Sequence, residues 1–364
     1  MKITRLEAIP FRVPLLAPFK WGVAGYMESA EHVLVKVHTD EGVIGFAEAP
    51  PRPTIYGESL ASILFAIRTW FDPMVSGLNP AHYERIWAKL ETIPGNLTAK
   101  GAVDLACYDA VARYQGVPLW EMLGGASGRL SLSWMLGIRS VSEMVAEAEG
   151  IRAKGIKAFK VKVGLEAEKD IQVIKALREN LGSDILIYAD ANMAYDAFTA
   201  IRTIRKMQEY GLAFVEEPIP VWNRQGRLKV AKAISIPILG DESVFTPQDV
   251  IREIDLGVVG IISIKTPRTG YTLSAKIIHL AETAGIPCLM GTQGETGVGT
   301  MVSAQFGAAR RNVSYPSEIS FFLFMKDDIL AEPVPFKDGF IELSKKPGNG
   351  AVIDEDKLKK YRLD

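Results

Sequence analysis

This 364-residue sequence is short of most of the residues that announce a function class. It has two cysteines, Cys107 and Cys288, with no CxxC pair, so a disulfide framework is excluded. Charge of one sign is missing too. The 42 basic and 43 acidic residues leave a net charge of −1, and nothing suggests electrostatic nucleic-acid binding. No apolar run reaches membrane-spanning length, and Met1-Lys2-Ile3-Thr4 lacks a signal-peptide core, so a cytoplasmic protein with no membrane partner is expected. Neither a GxGxxG nor a P-loop is present, which argues against a doubly wound phosphate-binding fold. There is no low-complexity segment. What remains is an ordinary globular composition, 48% hydrophobic and 23% charged, in a chain long enough to favour two domains over one.

The first 125 residues read as an α+β domain. Alternating patterns predict strands over Lys2–Val13, Glu31–His38 and Val43–Ala49, and Asp40-Glu41-Gly42 supplies a turn. Helical spacing follows over Ser59–Phe71, Tyr83–Leu90 and Gly101–Tyr114. Two stretches rich in Gly, Pro and aromatics, Pro18–Tyr26 and Pro50–Ser59, read either as surface connections or as a lid over a neighbouring site.

From Leu132 the chain alternates strand and helix. Strands are predicted at Leu132–Leu136, Ala158–Val163, Ile185–Ala189, Leu212–Glu216, Ile238–Gly240, Gly260–Lys265 and Pro287–Met290, with a weaker eighth near Val313–Ile319. Eight such units point to a (β/α) barrel over residues 126–325, followed by a C-terminal segment over 326–364.

Charged residues fall at the ends of these strands. Lys160 and Lys162 alternate within the second strand and point the same way. Asp190, Glu216, Asp241 and Lys265 end the third to sixth strands, roughly one strand–helix unit apart from Asp190 on. A single carboxylate at a strand end commonly caps a helix. Three in register need a cation, and an all-oxygen set suits Mg²⁺ first and Mn²⁺ second while disfavouring zinc. Glu217 and Glu242, one step out of register, are expected to orient the ligands or pair with lysines. Lys162 is the better base candidate, because Lys160 presents a like charge two residues away. The alternative for both lysines is a buried ion network with the carboxylates.

The ordered set Lys160-Val161-Lys162, Asp190-Ala191-Asn192, Glu216-Glu217-Pro218, Gly240-Asp241-Glu242-Ser243 and Lys265 with Arg268 and Gly270 resembles the enolase superfamily, muconate-lactonizing subgroup. The resemblance covers nearly the whole chain. It implies an N-terminal α+β capping domain, a modified (β/α)7β barrel of the TIM type, and a tail returning to the cap. It further implies that Asp190, Glu216 and Asp241 hold the metal, that Lys162 and Lys265 form the acid/base pair, and that Lys160 tunes it. A small carboxylate is the implied substrate and a homo-oligomer the implied assembly. The chemistry common to that superfamily is a lysine or histidine base working beside Mg²⁺, which holds an enediolate. The seventh strand carries Pro287-Cys288-Leu289-Met290-Gly291, where the mandelate-racemase branch would have a histidine. His32, His38, His82 and His279 all fall elsewhere and are expected to be structural.

Within the subgroup, dipeptide epimerases tend to carry Asp-x-Asp at strand eight. Here the place reads Pro316-Ser317-Glu318-Ile319-Ser320, with one acid, so Glu318 is the remaining candidate for a substrate amine. The stretches Ile55–Ser59, Gly291–Thr300 and Ser320–Leu330 look like the muconate cycloisomerase version. Tyr56, Asn192 and Glu295 join Glu318 as candidate substrate contacts; a loop-stabilising role for Glu295 is the alternative. Lys20, Arg52 or Lys265 could take a distal carboxylate. A muconate-type cycloisomerase is therefore expected, ahead of a racemase or epimerase of an amino-acid derivative and a β-elimination dehydratase. The intact charged set argues against a non-catalytic relative.

Overall fold

Pro10 and Pro14 lack the amide that a central strand needs, yet both lie inside one strand of the N-terminal sheet. They are tolerated because β1 (Ile3–Trp21) is an edge strand of its sheet, with β2 (Gly25–Thr39) as its one strand neighbour and only single bridges from the tail on the other side; β2 in turn pairs with β3 (Ile44–Ala49). The computed structural model describes residues 1–21 and 25–364. Beyond a register shift between Pro14 and Phe19, the hairpin continues through Phe19↔Met27, Lys20↔Tyr26 and Trp21↔Gly25. The stretch expected as a loop over 18–26 is therefore two strand arms, and its residues 22–24 lie outside the described residues.

Helices Leu60–Phe65, Tyr83–Leu90 and Leu97–Gln115 complete the cap. The first starts from a capping box between Ser59 and Ser62 and runs on into a π-helical turn, Ala66–Phe71. The third is buried over most of its length and joins the cap to the barrel. A Cβ on Gly101 would stand 2.1 Å from the Pro267 carbonyl oxygen, so glycine is what lets the two helices approach. One turn on, Asp104 Oδ2 accepts the amides of Tyr271 (2.7 Å) and Thr272 (3.0 Å). These are the first amides beyond the break at Gly270, φ 57°, in helix Thr266–Thr283. Asp104 is thus an N-cap supplied by another element.

After β4 (Arg129–Ser131) come seven parallel strands: β5 (Trp134–Leu136), β6 (Ala158–Lys162), β7 (Leu186–Asp190), β8 (Val215–Glu216), β9 (Ile238–Gly240), β10 (Val259–Ile264) and β11 (Cys288–Met290). Each pairs with the next in chain order, and helices cover the outside. The expected eighth strand is not a regular one. Residues 313–317 instead close the ring through single bridges, Cys288↔Val313 on one side and Leu132↔Ser317 on the other. Inward side chains of Tyr188, Phe214, Leu239, Ile261 and Leu289 fill the barrel interior as one apolar cluster. The tail adds β12 (Phe336–Lys337) and β13 (Phe340–Glu342) to β4, then reaches β1 through the bridge Phe11↔Arg362.

Candidate active site

Strand register assembles the charged residues. Parallel pairing sets Lys160 beside Tyr188, Lys162 beside Asp190, and Asp190 beside Glu216. Since alternate side chains share a face, both lysines point into the barrel above the apolar cluster. Asp241 follows the last residue of β9, and Lys265 the last residue of β10. All six side chains are buried.

The Lys160 ammonium lies 2.7 Å from Glu216 Oε2, 2.9 Å from Glu318 Oε2 and 3.0 Å from Asp190 Oδ2. Burial pulls its pKa down, but these three carboxylates outweigh burial and hold it well above the usual lysine range. The like charge expected to face Lys162 is thus enclosed by anions. Lys162 donates to Asp190 Oδ2 at 2.5 Å and to Asn192 Oδ1 at 2.9 Å. Burial opposes ionisation of Asp190, yet Lys160 and Lys162 bring it down to about 2. Across the mouth, Lys265 donates to Asp241 Oδ2, and Arg268 Nη1 donates to Asp241 Oδ1 at 2.7 Å. Along the chain Arg268 stands out only as part of a motif; its role as an Asp241 partner depends on the helix geometry after Lys265.

The carboxylates that remain are less fully paired, and Glu216 keeps only the Lys160 ammonium beside Oε2. Neither Glu216 oxygen has a hydrogen-bond donor in line with it, and Glu242 Oε2 has none. Burial and then the neighbouring acids, Asp190 and Glu318, push Glu216 well above the carboxylate range. Burial and Asp241 push Glu242 up to about 8. Oxygens of Glu216, Asp241 and Glu242 lie within 4.8 Å of one another. This group differs by one member from the expected Asp190, Glu216 and Asp241, because Asp190 is turned to the two lysines. Orphaned buried carboxylate oxygens in such a cluster fit a hard divalent cation. Glu217 supports the cluster from the side. At φ 32°, its Oε1 accepts the amides of Asp241 (2.9 Å) and Ser243 (2.8 Å), which anchors the end of β9.

A cavity opens onto these groups. Its lining includes Lys160, Lys162, Asp190, Asn192, Asp241, Glu242 and Lys265 on the barrel side. Both stretches read as possible lids contribute walls, Phe19 and Trp21 from the hairpin stretch, with Met27 just beyond it, then Arg52 and Ile55 from the connection after β3. The other expected contacts fall elsewhere. Tyr56 accepts a hydrogen bond from Gln293 Nε2 at the edge of the cavity. Glu295 accepts the hydroxyl of Thr292 and the amide of Gln293 (2.9 Å), which folds its own loop. Glu318 bridges Lys160 and the Tyr188 hydroxyl (3.0 Å) beneath the site. Lys20 sits over the Tyr26 ring and is absent from the lining, whereas Arg52 is in it with Nη2 unpaired.

Comparison with known proteins agrees with this architecture. Residues 6–124 match the mandelate racemase / muconate lactonizing enzyme N-terminal domain, and residues 143–357 match the enolase C-terminal domain-like family. The L-Ala-D/L-Glu epimerase of Bacillus subtilis (strain 168) is 35% identical over 357 residues, 97% of each chain. Muconate cycloisomerase 1 of Rhodococcus opacus is 29% identical, over 99% of this chain and 98% of its own. The crystal structure of a muconate lactonizing enzyme from Mucobacterium Smegmatis complexed with muconolactone superposes with a TM-score of 0.97 at 42% identity, over all of both chains.

Proposed function

The chain belongs to the enolase superfamily, in the mandelate racemase/muconate lactonizing enzyme family, and from that premise we propose that it is a muconate-type cycloisomerase. The observation that carries the reading is the chemistry of the cavity wall. Among the described residues, its only carboxylates are Asp190, Asp241 and Glu242, which belong to the metal cluster or its lysine partners. No acid is left over to receive a substrate amine, since Glu295 and Glu318 are engaged elsewhere. Opposite the cluster stand apolar side chains and the unpaired Arg52 Nη2, a setting for an unsaturated diacid.

In this reading Asp190, Glu216 and Asp241, with Glu242 alongside, hold a Mg²⁺ or Mn²⁺ ion. When bound, that ion supplies the positive charge that stabilises an enolate. One substrate carboxylate adds to the conjugated double bond, a C–O bond forms, and the α-carbon of the other carboxylate takes a proton from the Lys162 ammonium. Reversal returns the proton to Lys162. Asn192 orients that ammonium, Lys160 keeps the carboxylates together, and Arg52 receives the distal carboxylate.

A racemase or epimerase of an amino-acid derivative is the second reading, favoured by Lys162 and Lys265 lining one cavity from strands far apart in the ring. Proton NMR in D₂O with Mg²⁺ or Mn²⁺ separates the two. Lactone formation from muconate, without α-proton exchange in dipeptides or N-acylamino acids, is the expected result. Exchange and inversion of an amino-acid derivative, with muconate inert, would replace cycloisomerisation by racemisation.

A further inference from the structure

Helix Gly297–Ala309, which follows β11, begins against a carboxylate from the other domain. Glu48, next to the end of β3 in the cap, is 1% exposed. It accepts the Thr296 amide at 3.0 Å, the Gly299 amide at 3.2 Å, the Thr296 hydroxyl and a ring nitrogen of the buried His32. A Cβ on Gly299 would stand 2.7 Å from Glu295 Cβ, so the glycine admits the fold of the loop before the helix, while Glu48 meets that position only at an ordinary contact distance of 3.4 Å. Burial opposes its ionisation, yet His32 and the Thr296 donors bring Glu48 below its ordinary range. A carboxylate at a helix N-terminus also complements the dipole there.

We propose that Glu48 is a positioning residue that sets the cap connection in register with the loop after β11. Four residues beyond it stands Arg52, and Ile55 lies further along the same connection; both line the cavity. Three residues before Thr296 stands Gln293, which lines the cavity and donates to Tyr56. Glu48–Thr296 and Tyr56–Gln293 therefore clamp the same two segments at either end. No atom of Glu48 lines the cavity. It acts on the distal part of the substrate through Arg52 and Gln293, and leaves the metal cluster and lysines to the barrel. The kinetic part of this inference rests on the proposed cycloisomerase reading; the rest does not.

The test uses the full chain with Glu48→Gln and, as a milder change that keeps the backbone amide, Thr296→Val. Hydrogen exchange followed by mass spectrometry is expected to show segments 49–57 and 292–300 exchanging about tenfold faster in Glu48→Gln. Exchange of β6–β9 and Mg²⁺ affinity should stay as in the parent. With a turned-over diacid, KM is expected to rise about tenfold while kcat changes less than about threefold, and Thr296→Val should show the same pattern more weakly. Unchanged exchange in both segments would overturn the proposal, as would a fall in kcat at constant KM or a matching loss of Mg²⁺ affinity. Should Glu48→Gln fail to fold, Thr296→Val decides by the same criteria. If no diacid is turned over, the functional reading fails, and exchange and metal titration still decide the positioning role.

Discussion

Lys162 Nζ donates to Asn192 Oδ1 at 2.9 Å, and the orientation of that amide is set by its own Nδ2, which donates to Glu242 Oε1 at 3.2 Å. The lysine is thus aimed by a neutral group on one side and by Asp190 on the other. Lys162→Ala is expected to lower kcat by roughly 10²–10⁴ with Mg²⁺ affinity retained, the range for loss of a general acid or base. Asn192→Leu should cost less, about tenfold in kcat. Steady-state kinetics beside calorimetric metal titration check both, and full turnover by Lys162→Ala would remove it from the chemistry.

Asp241 has two cationic partners, Lys265 and Arg268. Asp241→Asn leaves both buried cations short of an anion. Mg²⁺ affinity and folding stability are expected to fall together, the latter by about 3 kcal/mol. Metal titration and urea unfolding measure them; a variant that binds Mg²⁺ as well as the parent would exclude Asp241 as a ligand.

Arg52→Met keeps length and apolar contact but removes the guanidinium, whose Nη2 is unpaired while Nη1 donates to the Pro51 carbonyl. KM for a diacid should rise tenfold to a hundredfold, the order expected for one charged hydrogen bond. The monocarboxylate analogue should be affected little. Equal changes for both substrates would argue that Arg52 shapes the cavity without binding the distal carboxylate.

Gly101→Ala is expected to destabilise the chain by about 3 kcal/mol, because the new methyl has backbone, and no flexible side chain, in its way. Chemical unfolding would register this as a lower midpoint. A neutral result would mean that helix Leu97–Gln115 can withdraw from the barrel.

Asp104 offers a pH test away from the acidic cluster. Burial lifts its carboxyl to about 6 from an ordinary 3.8, against the amides of Tyr271 and Thr272. A carboxyl raised on folding holds its proton longer in the native state. Its stabilising share is whole below about pH 4 and is lost as pH rises through 6, on the order of 3 kcal/mol. In Asp104→Asn the amide oxygen can take both backbone donors, and that share of the pH dependence should vanish. Urea midpoints at pH 4.5 and 7.5 compare the two proteins; identical pH slopes would show that Asp104 is already ionised at pH 4.5.

The positions of Lys160, Lys162, Asp190, Glu216, Asp241 and Lys265 could be read along the chain because they depend on local periods. A strand alternates every two residues, and a strand–helix unit returns the chain to the same end of the barrel each time. Length and that spacing were sufficient for an α+β domain followed by a barrel with acids and lysines at one mouth; that the first domain caps the second was implied by the family resemblance. What the chain could not disclose are relations between segments that local patterning does not encode. Pro14 looks like the end of a strand until β1 proves to be an edge, and residues 313–317 close the ring by two bridges with little strand pattern of their own. Glu318 reads as a free acid, and Glu295 as either a substrate contact or a loop brace, until tertiary packing brings Lys160 to the first and the folded loop brings Thr292 to the second. Glu48 carries no motif, and its meaning arises only where Thr296, 248 residues away, presents an amide to it. Periodicity decides which way a side chain faces; which partner it meets is a long-range pairing that only the closed fold supplies.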